Sequence, residues 1–229
     1  MRLPMLLLAF TAFLCADPAA RMECRRARAD FDVSADPASP HWKRAKAVQA
    51  SVDPFGKPAG ANAFTFRTLW TPENLYFLFE CPYDSLNLKK DPSTSTETNR
   101  LWEWDVTEVF IGWDPDNIGQ YKELQVSPQG EWVDLDIDRS HPKPEGGWKW
   151  NSGMTVKARI DSRAKVWYGE MKIPFRALDP RPPQAGHELR INVYRLAGAP
   201  PSRQSIMWTP TQARSHHTPA QFGRMVLTR

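Results

Sequence analysis

The chain has only 3 cysteines in 229 residues, so no dense disulfide framework holds it together. It has no excess of one charge either. Thirty basic residues stand against 26 acidic ones, interleaved along most of the length, and only RMECRRAR (residues 21–28) is locally basic. With no recurring basic stripe, a nucleic-acid partner is not expected. Internal repeats, low-complexity tracts and a dividing linker are also missing. The 21 prolines and 12 glycines are spread over many short turns, which suits one domain with one core large enough to need no staple. Helical periodicity is scarce, and with it the helical fold classes drop out.

What is present begins with MRLPMLLLAFTAFLCA, an early arginine, a short apolar run and small residues near its end. That is the layout of a cleaved secretory signal over residues 1–20, with cleavage after Ala16 or Ala20, and it is too short to span a bilayer. The mature chain, residues 21–229, is expected to be secreted or periplasmic. It would keep Cys24 and Cys81, which either form one disulfide in an oxidising compartment or stand as two small core residues.

Along the chain, Trp42, Ala45 and Val48 are spaced like a short turn pinned by the tryptophan. NAFTFRTLW and LYFLFECP, joined by TPEN, read as a β-hairpin. Residues 83–100, YDSLNLKKDPSTSTETNR, are polar and without period, a long loop of the kind that is functional or mobile. Within it Asp84, Asn87 and Asp91 supply oxygen ligands for a calcium ion, at a spacing unlike an EF-hand loop. Solvated loop polar groups are the alternative. In YKELQVSP, Tyr121, Glu123 and Gln125 share one face. In EWVDLDID, Trp132, Asp134, Asp136 and Asp138 share one, which predicts a wet face. HPKPEGGWKWNSG is a turn-rich excursion carrying Trp148 and Trp150. MTVKARID and VWYGEMKIP form a second hairpin, and ELRINVYRL, IMWTPT and FGRMVLTR follow as strands. About ten strands and scarcely any helix predict an all-β, antiparallel β-sandwich.

The stretch LWEWDVTEVFIGW (residues 101–113) concentrates the chemistry. From Thr107 the residues alternate: Thr107, Val109 and Ile111 toward a core, Glu108, Phe110 and Gly112 toward the other face. Trp102, Trp104 and Asp105 precede this strand, where a loop could bring indole rings over its polar face. Ten tryptophans are many for a chain of this length, and about half are expected as large core fillers.

In order, LWTPENLYFLFE, WEWDVTEVFI, YKELQVSPQGEWVD, YGEMKIPF, LRINVYR, MWTPT and HHTPAQFGRMVL resemble the motifs of carbohydrate-binding module family 9 and its DOMON-related β-sandwich relatives. The resemblance runs from about Phe31 to the end. It implies a sugar held by a tryptophan and polar side chains: Trp102 as the ring, Glu108 as the hydroxyl-binding carboxylate, and Asp105 in the same WxxD context. Gln125 falls where those members have an arginine, Tyr194 near a glutamine position, and His216 where a second tryptophan would stand. That departure implies a more open site, like the relatives with a His-x-Pro element, here His217, Thr218 and Pro219. The same resemblance adds weight to a structural calcium near Asp84. No cofactor is required.

A pyranose has an apolar C–H face and a rim of hydroxyls, so a ring platform flanked by carboxylate and amide groups suits it. The expectation is a non-catalytic binder of plant-type or related oligosaccharide or polysaccharide, associated with carbohydrate catabolism. Two rivals remain. A glycosidase would use Glu108, Glu123 and Asp134, with paired carboxyls about 5–5.5 or 6.5–9.5 Å apart. A haem-binding electron-transfer module would draw axial ligands from Met171, Met207, His216 and His217.

Overall fold

The computed structural model describes residues 20–141, 143 and 150–229. The leader to Pro18 and Ala19, with its Ala16 cleavage site, and Trp148 lie outside the described residues. Twelve strands are present among those described: β1 (Arg21–Arg26), β2 (Val48–Ala50), β3 (Phe64–Trp70), β4 (Asn74–Pro82), β5 (Val106–Gly112), β6 (Gln120–Val126), β7 (Trp132–Asp138), β8 (Thr155–Asp161), β9 (Val166–Pro174), β10 (Glu188–Ala197), β11 (Gln204–Met207) and β12 (Gly223–Thr228). A four-residue helix, α1 (Phe175–Leu178), follows β9. The hydrogen-bonded order is β7-β6-β5-β10-β12-β1-β3-β4-β9-β8, with β11 beside β10 and β2 beside β3.

The sheet folds back so that β7-β6-β5-β10 faces β3-β4-β9-β8. The main core fills the space between, with Val109, Ile111, Leu124, Val126 and Val193 from one layer and Phe77, Phe79, Trp167, Met171 and Ile173 from the other. The all-β expectation therefore holds, with one difference of topology: β1 runs parallel to both of its neighbours, β12 and β3. Gly223 opens β12 because a Cβ there would come within 2.5 Å of the Trp208 ring.

The local readings follow from period and turn chemistry. The hairpin of β3 and β4 closes on Thr71, whose amide donates to the Asn74 carbonyl at 2.8 Å and whose hydroxyl accepts from the Asn74 amide at 3.0 Å. β8 and β9 form the second hairpin. Trp42 is buried in a 3-10 turn, Pro40–Arg44.

Both layers are covered on their outer sides as well. Phe31 and Trp42 pack on Leu69, Tyr76 and Leu78 of β3 and β4. The covering segment is pinned by Glu170 of β9, which accepts from the amides of Ser34 at 2.8 Å and Ala35 at 2.7 Å. On the other layer Phe110, Tyr121, Val133, Leu135, Ile137 and Tyr194 form an outer cluster with Leu101 and Phe222.

Of the two alternatives for Cys24 and Cys81, the structure has the second: both are free, buried thiols in the main core, and burial pushes both up to about 12. The expected wet face of Trp132, Asp134, Asp136 and Asp138 is incomplete. Asp134 is buried, its carboxylate accepting from the amide and hydroxyl of Ser152 at 3.0 and 2.5 Å.

Candidate functional site

The register builds the site floor. Tyr194, Glu108 and Gln125 lie side by side across β10, β5 and β6, and Asn192, Phe110 and Glu123 form the next row on the same face. Side chains alternate along each strand, so this face is opposite to the one carrying Val109 and Leu124 into the core. β5 is buried along its whole length, on both faces, because other chain segments cover the floor.

One cover is the 3-10 turn Leu101–Glu103, which carries Trp102. Arg203 clamps it, donating to the carbonyls of Trp102 at 2.5 Å, Glu103 at 2.9 Å and Trp104 at 2.6 Å. The other cover is the segment bearing Arg214, Ser215, His216 and His217. Between them lies a cavity of about 420 Å³ with Glu108, Phe110 and Glu123 at its floor and Trp102, Leu196 and Arg203 among its walls.

The polar groups of this cavity form two chains. In the first, Glu108 lies 3.1 Å from His216 Nδ1, and Ser205 Oγ lies 2.6 Å from His216 Nε2. The His216 ring stacks on Tyr194 at 4.5 Å, and the Tyr194 hydroxyl donates to the His216 carbonyl. In the second, Tyr121 Oη and His217 Nδ1 are 2.7 Å apart and His217 Nε2 is 3.9 Å from Glu123 Oε2. Burial lowers His217 to about 4, which favours a neutral ring at pH 7 that shares one hydrogen bond with the Tyr121 hydroxyl through Nδ1.

Glu123 is the unusual member. Gln125 Nε2 donates to its Oε1 at 2.6 Å, while the buried Oε2 has no hydrogen-bond partner. Burial, and then the Glu108 charge, push the carboxyl well above the ordinary range, which favours its protonated form. A protonated Glu123 can donate as well as accept.

Of the residues singled out from sequence, Trp102, Glu108 and His216 meet at the cavity. Asp105, Gln125 and Tyr194 are fully buried and do not line it. Asp105 instead accepts from the amides of Gly198 at 2.7 Å and Asn87 at 3.2 Å, tying two loops together, and burial raises its pKa. Trp104 is packing, with Lys89 over its ring at 5.9 Å. Asp84 is exposed, Asn87 donates to the Glu103 carbonyl, and no group of three or more His, Cys, Asp or Glu that could hold a metal ion occurs among the described residues.

The rival constellations come apart. Asp134 pairs with Leu124, so it points away from the face that carries Glu108 and Glu123. Met171 lies in the main core, apart from Met207 of the outer cluster and from His216 and His217 at the cavity. Glu123 and His217 were expected at a site only in the rival readings and the His-x-Pro comparison, and Arg203 in none. Alternation already put Glu123 on the floor side, but nothing local marked Arg203.

A larger cavity, about 600 Å³, opens beyond the other face of the same strands near Trp113, Lys122, Asp136 and Trp150. Its central charges are already partnered. Lys122 contacts Asp136 at 2.6 Å and covers the Trp150 ring at 4.7 Å. The cavity over Glu108 and Glu123 is therefore the stronger candidate.

Three solved structures share the architecture. A Bacteroides uniformis protein aligns with a TM-score of 0.69 at 14% identity, covering 91% of this chain and 99% of its own. A family 9 carbohydrate binding module from Caldicellulosiruptor kristjanssonii in complex with glucose aligns at 0.68 and 13% identity, over 92% of this chain and 97% of that one. The Caldicellulosiruptor kristjanssonii module in complex with cellotriose gives 0.68 and 13%, over 91% and 94%. No curated protein matches the chain. At these identities the structures show a shared fold, and the family itself is shown by sequence: residues 35–229 match the family model for carbohydrate family 9 binding domain-like proteins, and the chain belongs to that family.

Proposed function

We propose that the protein is an exported carbohydrate-binding protein that holds a plant-type or related oligosaccharide or polysaccharide chain in the cavity between Trp102 and His216, in the service of carbohydrate catabolism. The observation that carries the reading is the pairing of one ring, Trp102, with two carboxyls, Glu108 and Glu123, around one 420 Å³ cavity. The ring accommodates the C–H face of a pyranose, and the carboxyls serve its hydroxyls. The family, and the glucose and cellotriose complexes of the Caldicellulosiruptor module, support β-linked glucose chains as the first ligands to try. The apolar run in residues 1–16 supports export. No cofactor enters this reading, and a calcium near Asp84 is a separate proposal that chelation would test.

The three carboxylates a glycosidase would have drawn on are not brought together, because Asp134 points away from the face that carries Glu108 and Glu123. One platform and a few charge-assisted hydrogen bonds of about 1.5–3 kcal/mol each must offset roughly 4–15 kcal/mol of association cost. The expected dissociation constant is on the order of micromolar to millimolar. Calorimetric titration with cello-, xylo- and manno-oligosaccharides checks this. Binding by at least one series, weakened about tenfold or more by Trp102→Ala, is the expected result; no binding by any, or equal binding by the variant, sinks it.

A further inference from the structure

We propose that Ser205, His216 and Glu108 form a hydrolytic triad that cleaves acyl esters carried on saccharide hydroxyls. The two hydrogen bonds described above have the order and geometry this chemistry needs. Ser205 Oγ is 2.6 Å from His216 Nε2, and His216 Nδ1 is 3.1 Å from Glu108 Oε2. A carboxylate only accepts, so Nδ1 carries the hydrogen and Nε2 is free to take the serine proton. Such a constellation is recognised by geometry and roles rather than by sequence order.

The surroundings hold the ring and leave the serine reachable. Tyr194 stacks on His216 with an interplanar angle of 2° and also bonds its carbonyl. Ser205 sits on the edge strand β11 directly across from Leu196, which lines the cavity, as does His216. Ser205 is part-exposed, and its hydroxyl contacts His216, which lines the cavity. Arg214, exposed on the same cavity wall, is the cation available to an oxyanion there.

The step balances without a further reagent. Ser205 Oγ bonds to the ester carbonyl carbon as its proton passes to His216 Nε2. The carbon–oxygen bond to the sugar then breaks, and the sugar oxygen takes that proton. Water repeats the sequence on the acyl-serine, releasing a carboxylic acid and the free hydroxyl. Glu108 is a positioning residue that holds the imidazole. The inference rests on the carbohydrate reading only for the alcohol side of the ester.

The full chain treated with a fluorophosphonate probe, followed by peptide mapping, tests it without any variant. The expected result is one adduct, on Ser205; an unlabelled protein, or an adduct elsewhere, overturns the proposal. Hydrolysis of p-nitrophenyl acetate should fall about 100-fold or more in Ser205→Ala. Turnover equal to the parent's in a variant of unchanged melting temperature would also overturn it. In Glu108→Gln, kcat for p-nitrophenyl acetate, which has no saccharide hydroxyl for Glu108 to bind, should fall while KM holds, whereas a merely structural role would move the melting temperature alone. Calorimetry separates the two readings: labelled Ser205 with no saccharide binding upholds the triad and removes the binding function.

Discussion

Glu123 and His217 face one another at 3.9 Å and respond to pH in opposite senses. Burial and the Glu108 charge raise the Glu123 carboxyl above its ordinary 4.5. A raised carboxyl contributes stability that is fully present below 4.5 and is lost as pH rises through the folded value. Glu123→Gln keeps the shape and an acceptor for Gln125, so it should stabilise the protein at pH 7 by about 1–3 kcal/mol, with the gain gone below about pH 4.5. For His217, burial lowers the value from 6.5 to about 4. Its neutral ring contributes stability above pH 6.5 that is lost as pH falls toward 4. His217→Gln should therefore lose less melting temperature than the parent over that window. Thermal melts of parent and both variants at pH 4, 5.5 and 7 check both signs, and parallel curves for all three would contradict them.

Among the elements, the loop before β5 is placed by Asp105, a residue whose WxxD context had suggested sugar contact. Its carboxylate accepts two backbone amides, and the positive charges of Arg195 and Arg203 act on it. Asp105→Ala should cost about 3–5 kcal/mol, the scale for removing one partner of a buried charge network. Guanidinium denaturation measures this, and an unchanged midpoint with weakened saccharide binding would restore Asp105 as a ligand contact. The hairpin of β3 and β4 and the alternation of β5 and β6 were legible in the sequence because a period of two and a Thr-Pro-Glu-Asn turn are local signals. The neighbours of Glu108 were only half legible. Alternation gives the face of Glu123, but only the strand register brings it diagonal to Glu108. The Arg203 clamp on Trp102 joins positions about 100 residues apart and left no local pattern. The same holds for Asp134, which the register puts beside Leu124 on the core side and whose carboxylate is satisfied by Ser152 of a later segment.

For the molecule as a whole, the core between the layers does the work that a disulfide was considered for. Cys24 and Cys81 lie in it as thiols raised to about 12 by burial, which keeps them protonated and shielded at pH 7. Iodoacetamide followed by peptide mapping should leave both unmodified in the native protein and alkylate both in guanidinium. Alkylation of neither in denaturant without reductant would point to a bond between them. The two layers are joined through β12 and β1, and Arg21 lies opposite Arg224. Pairings of such sequence separation place folding in the slow range for β proteins, about milliseconds to seconds or longer.

The parallel sense of that β1–β12 seam also sets how the protein carries force. A load applied between residue 21 and residue 229 pulls the start of β1 and the end of β12 in opposite directions along the strands. The five register pairs from Arg21↔Arg224 to Arg25↔Thr228 are then loaded together, in shear, and cannot open one after another as a hairpin pulled from its open end does. Under such a load the seam holds until all five pairs rupture together.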